Sequence, residues 1–214
     1  MNTQLAANRK SDYVVAKFGG TSVANFDAMS RCAEIICADN QVRIVAVSAS
    51  AGVTNHLVAL CKADLSAAER DEHITGVVAI QEAILAELSL DADLAHGFNE
   101  TLKAFQKLAS DGTKSVADQD ELLSFGERLS SYLFTQVLRG QGLDAVRFDV
   151  RKVLKTDSQF AKATPNVAAT AAAAKEHLVP LLDDHVVVTQ GFIGSNEHNQ
   201  TTTLGRGGSD YSAA

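Results

Sequence analysis

The tightest constraint on this chain is the stretch Lys17-Phe18-Gly19-Gly20-Thr21-Ser22-Val23, set directly behind the apolar run Tyr13-Val14-Val15-Ala16. The run is rich in β-branched residues and reads as a buried strand. A Lys closes it, and two glycines then let the backbone turn sharply with its N–H groups uncovered. Thr21 and Ser22 add hydroxyl donors, and helical periodicity begins a few residues later. Strand, Lys, Gly-Gly, hydroxyls and helix are the layout of an anion site, in which backbone donors and the helix dipole face the charge; a strand ending in an ordinary turn with a surface Lys is the plainer alternative. The order differs from a Walker loop, where the Lys follows the glycines, and from G-x-G-x-x-G.

The rest of the chain repeats the pattern of strand, loop and helix. Arg43–Ser48 and Val186–Gln190 are apolar on both faces, as central parallel strands are. Asp144–Phe148 is a weaker strand candidate. Asn25 or Asp27 can cap a helix running to about Ala38, with Met29, Ala33, Ile36 and Cys37 as its apolar stripe. Ser48–Asn55 is a loop of small and hydroxyl residues at the carboxyl end of a strand, where open α/β sheets bind ligands; taken alone, it reads more readily as a plain βα turn with an N-cap.

Residues 55–140 carry helical spacing and almost no strand signal, so a large helical insertion is expected on an α/β frame. Gly112 breaks that pattern. Asp118 or Asp120 can cap the next helix, Glu121 to about Arg139, with Gly140 and Gly142 ending it. Glu127, beside Gly126 in this helix, is open to two readings: a partner for a substrate ammonium, or a solvated carboxylate paired with Arg128. Further on, Pro165 suits the first position of an Ala-rich helix reaching about Leu182, which Pro180 should end or kink. Thr201–Leu204 suits an edge strand or hairpin arm.

Gly205-Arg206-Gly207-Gly208-Ser209-Asp210-Tyr211 repeats the anion-receptive device of residues 17–23. Arg206 can hold a carboxylate or phosphate in a bidentate fork, and Asp210 can cap the helix or orient a reacting group. A Gly-rich linker is the plainer alternative.

Composition narrows the classes of function. The chain has 214 residues and a net charge of −7 without a basic cluster, which argues against nucleic-acid binding. No apolar run approaches the length of a membrane span. Residues 1–12 are polar and lack the apolar region of a signal peptide; they read as a loose extension. Cys32, Cys37 and Cys61 lack C-x-x-C spacing and fit reduced, mostly buried thiols in a cytoplasmic protein. The six histidines form no H-x-x-x-H pair, and no metal site is expected from the protein alone.

Taken together, Lys17–Val23, Ser48–Thr54, Ser124–Arg128, Gly191–Gly194 and Thr201–Tyr211 resemble the aspartokinases of the amino-acid kinase superfamily. The lysine-sensitive, single-function branch (aspartokinase III) is the most similar. The likeness runs from about Val14 to Ala214 and rests above all on KFGGTSV with TTTLGRGGSDY in this order. It implies an open, mostly parallel sheet with helices on both faces, and transfer of the γ-phosphoryl of ATP to the β-carboxylate of L-aspartate. That reaction opens the biosynthesis of lysine, threonine and methionine.

The resemblance further implies roles for individual residues. Lys17 neutralises the transferring phosphoryl, with Phe18, Gly19, Gly20 and Ser50 at the ATP phosphates. Arg206 clamps the α-carboxylate of aspartate and Glu127 accepts its ammonium. Ser48, Thr54 and Ser209 supply hydroxyl contacts, Phe192 lines the pocket, and Asp210 organises Lys17. Mg²⁺ is expected to arrive with ATP rather than on a protein site.

Aspartokinases continue well beyond this sequence, so residues 13–214 are expected to be the N-terminal, aspartate-binding lobe. The nucleotide lobe and the ACT regulatory domains would then be absent, and the fragment alone inactive. A homo-oligomer is expected of it. The alternatives are a superfamily kinase for another acid and a non-catalytic amino-acid-binding or dimerising module. A Rossmann protein is disfavoured by the missing G-x-G-x-x-G.

Overall fold

A computed structural model describes residues 13–205. The extension 1–12 and the predicted site residues Arg206, Ser209 and Asp210 lie outside them. Four strands, β1 (Val14–Phe18), β2 (Val42–Val47), β3 (Ala145–Arg147) and β4 (Val186–Gln190), make one parallel sheet in the order β1-β2-β4-β3. The register sets Phe18 beside Val47 and Val47 beside Gln190, so three strands end at one level.

The sheet is covered on both faces, and β4 shows why its strands are apolar at successive positions. Val186 and Val188 join one core with Val45 and Val47, whereas Val187 points into the other with Phe148, Val150 and Leu182. β1 departs from expectation. It is an edge strand, and Val14 and Val15 remain 36% and 39% exposed. β-branched residues favour a strand but do not determine whether a second strand or a helix covers it.

Helix α1 (Phe26–Ala38) links β1 to β2, and the Asn25 side chain caps it by accepting from the Ala28 N–H at 2.9 Å. Its buried stripe is Ala28, Met29, Cys32, Ala33 and Ile36. Cys37, expected in that stripe, is exposed, and Cys61 is half-buried.

The helical region comprises α2 (Val53–Leu60), α3 (Ala67–Leu85), α4 (Ala92–Asp111) and α5 (Val116–Gly140). Its last helix is no appendage. α5 packs against β2, β3 and β4 and buries Leu122, Phe125, Leu129, Leu133 and Phe134 in the main core. Complete burial of Phe98, Phe105, Phe125 and Phe134 contributes about 1.5–3 kcal/mol each relative to exposure.

The start of α5 corrects the predicted cap. Ser115 accepts from the Asp118 N–H at 3.1 Å, and the helix begins one turn earlier than either acidic residue would allow. The Ala-rich helix α6 (Val167–His177) is capped by Asn166, which leaves Pro165 outside it. A separate 3₁₀ turn, Val179–Leu181, holds Pro180, so the helix stops before Leu182. After β4 the chain forms an antiparallel hairpin of β5 (Ile193–Ser195) and β6 (Thr201–Thr203), as the threonine-rich run suggested.

Candidate functional site

The aligned ends of β1, β2 and β4 bring three predicted segments together. Beyond Phe18 the chain enters Gly19-Gly20, beyond Val47 it enters Ser48–Gly52, and beyond Gln190 it enters Gly191-Phe192. The Ser48 N–H donates to the Phe18 carbonyl at 3.1 Å, and the Gly191 N–H donates to the Val47 carbonyl at 2.9 Å. Lys17, near the end of β1, is exposed.

Gly20 has no room for a side chain: a β-carbon there would lie 2.8 Å from the Ala49 carbonyl oxygen. Its own carbonyl accepts from the Ala51 N–H at 3.1 Å, which stitches the glycine loop to the Ser48–Gly52 loop. Among the described residues nothing lies within 4 Å of the corresponding position at Gly19. Gly52, at φ +89°, makes the left-handed turn into α2 that other residues rarely adopt. Thr54 follows in the first turn of α2, exposed.

Ser50 is 1% exposed, and its Oγ has no hydrogen-bond partner among the described residues. A buried hydroxyl left unsatisfied costs about 1–3 kcal/mol, so this one is suited to a ligand oxygen. Phe192, half-buried, holds φ +70°, an unusual conformation for a bulky residue, and its carbonyl accepts from the Leu204 N–H at 2.9 Å.

Glu127 reaches this cluster from α5. The helix approaches so closely that a β-carbon on Gly126 would fall 2.6 Å from that of Ala49. Ser130, one turn on, donates its hydroxyl to the Ser48 carbonyl at 2.7 Å. Glu127 is buried, accepts a backbone hydrogen bond from Ala49, and forms no ion pair among the described residues. Burial pushes its carboxyl up to about 7, against the downward pull of the Ala49 amide. The solvated pairing with Arg128 is therefore corrected: Arg128 binds Glu121 at 2.6 Å instead.

Two buried polar groups escaped the sequence reading. Asp120 accepts from the backbone N–H groups of Ala161 and Thr203 and from the Thr203 hydroxyl, at 2.8–3.1 Å. It ties α5 to the end of β6. Ser131 Oγ accepts from Gln190 Nε2 and Arg147 Nε, each at 2.9 Å, which locks the end of β4 to α5. An Asp near a helix start reads as a cap, and a Ser within a helix carries no signal of its own. A surface cleft of about 720 Å³, lined by Lys155–Ser158, Thr164–Asn166, Ala169 and Glu197, includes none of the predicted residues.

A model of the amino acid kinase family matches residues 12–214. Over 206 residues the chain is 48% identical to the lysine-sensitive aspartokinase 3 of Escherichia coli, covering 95% of this chain and 46% of that protein. It is 37% identical to an aspartokinase of Chlamydia trachomatis, covering 94% of this chain and 44% of the relative. The structure of E. coli aspartokinase III in complex with aspartate and ADP superposes with a TM-score of 0.89 at 47% identity, over 94% of this chain and 45% of that one. The form in complex with lysine and aspartate gives 0.90. The chain thus spans somewhat less than half the length of these relatives.

Proposed function

Since this chain belongs to the amino acid kinase family, we propose that it carries the amino-acid-binding part of an aspartate kinase, which transfers the γ-phosphoryl of ATP to the β-carboxylate of L-aspartate. The observation that carries the reading is Glu127. A buried carboxyl without a cationic partner among the described residues, beside a loop rich in hydroxyl residues, fits an incoming ammonium.

Ser48 and Thr54, together with Arg206 and Ser209 outside the described residues, would hold the remaining polar atoms of the amino acid, and Phe192 would line the pocket. Lys17, Phe18, Gly19, Gly20 and Ser50 would face the phosphates, and Asp210 would organise Lys17. The attacking carboxylate is already ionised at neutral pH, so no general base is required. Transfer then rests on positioning and on the charge of Lys17.

In this reading Mg²⁺ arrives on the nucleotide phosphates and neutralises their charge. No helix among the described residues is long and apolar enough to cross a membrane. A cytoplasmic location and a homo-oligomeric state belong to the same proposal.

Calorimetric titration with L-aspartate tests the reading. Binding should be lost in Glu127→Ala and Arg206→Ala and retained in Lys17→Met. Aspartate affinity unaffected by the first two substitutions would overturn it. Lys17→Met also separates this proposal from a pure binding module, because in the longer enzyme it should abolish transfer while leaving aspartate affinity intact.

A further inference from the structure

The histidines, unpatterned in sequence, are not all apart in space. His56 of α2 and His73 of α3 place their Nδ1 atoms 3.1 Å apart, with ring centroids at 5.3 Å and ring planes at 61°. The contact is built into the helix pair. A β-carbon at Gly76 would lie 2.4–2.9 Å from atoms of the His56 ring, so α3 presents bare backbone to the imidazole. Both rings are half-buried, and neither takes part in the phosphoryl transfer proposed above.

From this juxtaposition we propose that His56 and His73 form a two-imidazole site for one divalent transition ion of the zinc and copper class, bridging α2 and α3. Metal–nitrogen bonds are about 2.0–2.1 Å long, so two nitrogens already 3.1 Å apart stand within reach of one ion. The two nitrogens now face each other nearly head-on, sharing one proton. To take the ion, both rings turn about the broad χ2 torsion of histidine until their Nδ1 lone pairs converge on it. The donor ring carries its proton on Nε2 instead, so both rings stay neutral and both Nδ1 lone pairs reach the ion.

Imidazole suits zinc and copper, whereas magnesium takes oxygen ligands, so the ATP-borne ion does not compete for this site. No third His, Cys, Asp or Glu completes the set among the described residues, and water fills the other positions. Glu69, one turn before His73, is engaged in the Ser66 capping box. α2 starts at Val53, directly after the Ser48–Gly52 loop, so an ion joining α2 to α3 braces that loop from behind. This inference does not depend on the aspartate kinase reading.

The test uses the full chain stripped of metal by a chelator. Titration with Zn²⁺ should show one ion per chain, with affinity falling at least about tenfold in both His56→Gln and His73→Gln. The control His185→Gln, whose imidazole faces Asp144, should bind as the unaltered chain does. One equivalent of Cu²⁺ should give an electron paramagnetic resonance spectrum with two coupled imidazole nitrogens. Zn²⁺ affinity unchanged in both variants, or a Cu²⁺ spectrum with a single nitrogen, would overturn the site. The spectrum of the unaltered chain decides the matter even where a variant fails to fold.

Discussion

Gly20 and Ala49 are in backbone contact: the space a side chain would need at residue 20 is filled, at 2.8 Å, by the Ala49 carbonyl oxygen. Neither atom can move far, because the Ala51 N–H donates back to the Gly20 carbonyl. Gly20→Ala should therefore separate two loops of the candidate site and destabilise the fold by about 1–3 kcal/mol, as overpacking does. Urea unfolding measures that loss. An unchanged midpoint would mean that the two loops do not constrain each other.

Gly126→Ala sets two effects against each other. Replacing a helix-interior glycine by alanine ordinarily gains about 1 kcal/mol of helix propensity. Here the new β-carbon would meet that of Ala49 at 2.6 Å and Leu57 Cδ1 at 3.2 Å. The clash should win, giving a net loss of about 1–2 kcal/mol. A stabilised variant in thermal unfolding would show that α5 can retreat from the loop.

The raised carboxyl of Glu127 gives a pH dependence of defined sign. Its folded value, about 7, lies above the ordinary glutamate value of 4.5, so the folded state holds the proton that the unfolded state releases. Stability from this group is complete below pH 4.5 and is lost as the pH rises to about 7, by about 3 kcal/mol in all. Glu127→Gln should abolish that slope and make the protein more stable than the parent at pH 8. Unfolding curves across this range check it, and parallel slopes for the two proteins would refute it.

Substrate binding should carry the opposite dependence. If the ammonium of aspartate is held by ionised Glu127, affinity should fall about tenfold per unit as the pH drops below 7, since the proton must leave first. Calorimetry in buffers of different ionisation enthalpy would detect the released proton. A flat profile from pH 5.5 to 8 would remove Glu127 from the ammonium site.

Asp120→Ala should leave the Ala161 and Thr203 donors without their acceptor beneath α5. The expected cost is about 2–4 kcal/mol, because the residue is completely buried and serves three donor groups. A change below 1 kcal/mol in denaturant unfolding would show that water replaces the carboxylate at no loss.

What the sequence disclosed follows from which forces are local. β2 and β4 are buried on both faces, and their unbroken apolar runs record that directly. The close approach at Gly126 was also legible, as a missing side chain in an otherwise continuous helix. β1 carries the same residue types, yet its exposure depends on where it stands in the sheet, which no local pattern encodes. Asp120 looked like a cap because Asp near a helix start usually is one; its acceptors are claimed instead by Ala161 and by Thr203, eighty-three residues away. Glu127 left two readings open, because its burial against Ala49 comes about only in three dimensions. His56 and His73 stand seventeen residues apart, on different helices, where periodicity is silent.

The shared level at which Phe18, Val47 and Gln190 end their strands has a consequence for how such a site can diverge. Three loops anchored to one rigid hydrogen-bonded row cannot slide past one another. Lengthening one strand by a residue would shift its loop by about 3.3 Å against the other two and turn its side chains to the opposite face. New specificity on this frame is therefore reached by exchanging side chains at fixed positions, while the spacing between the loops is inherited unchanged.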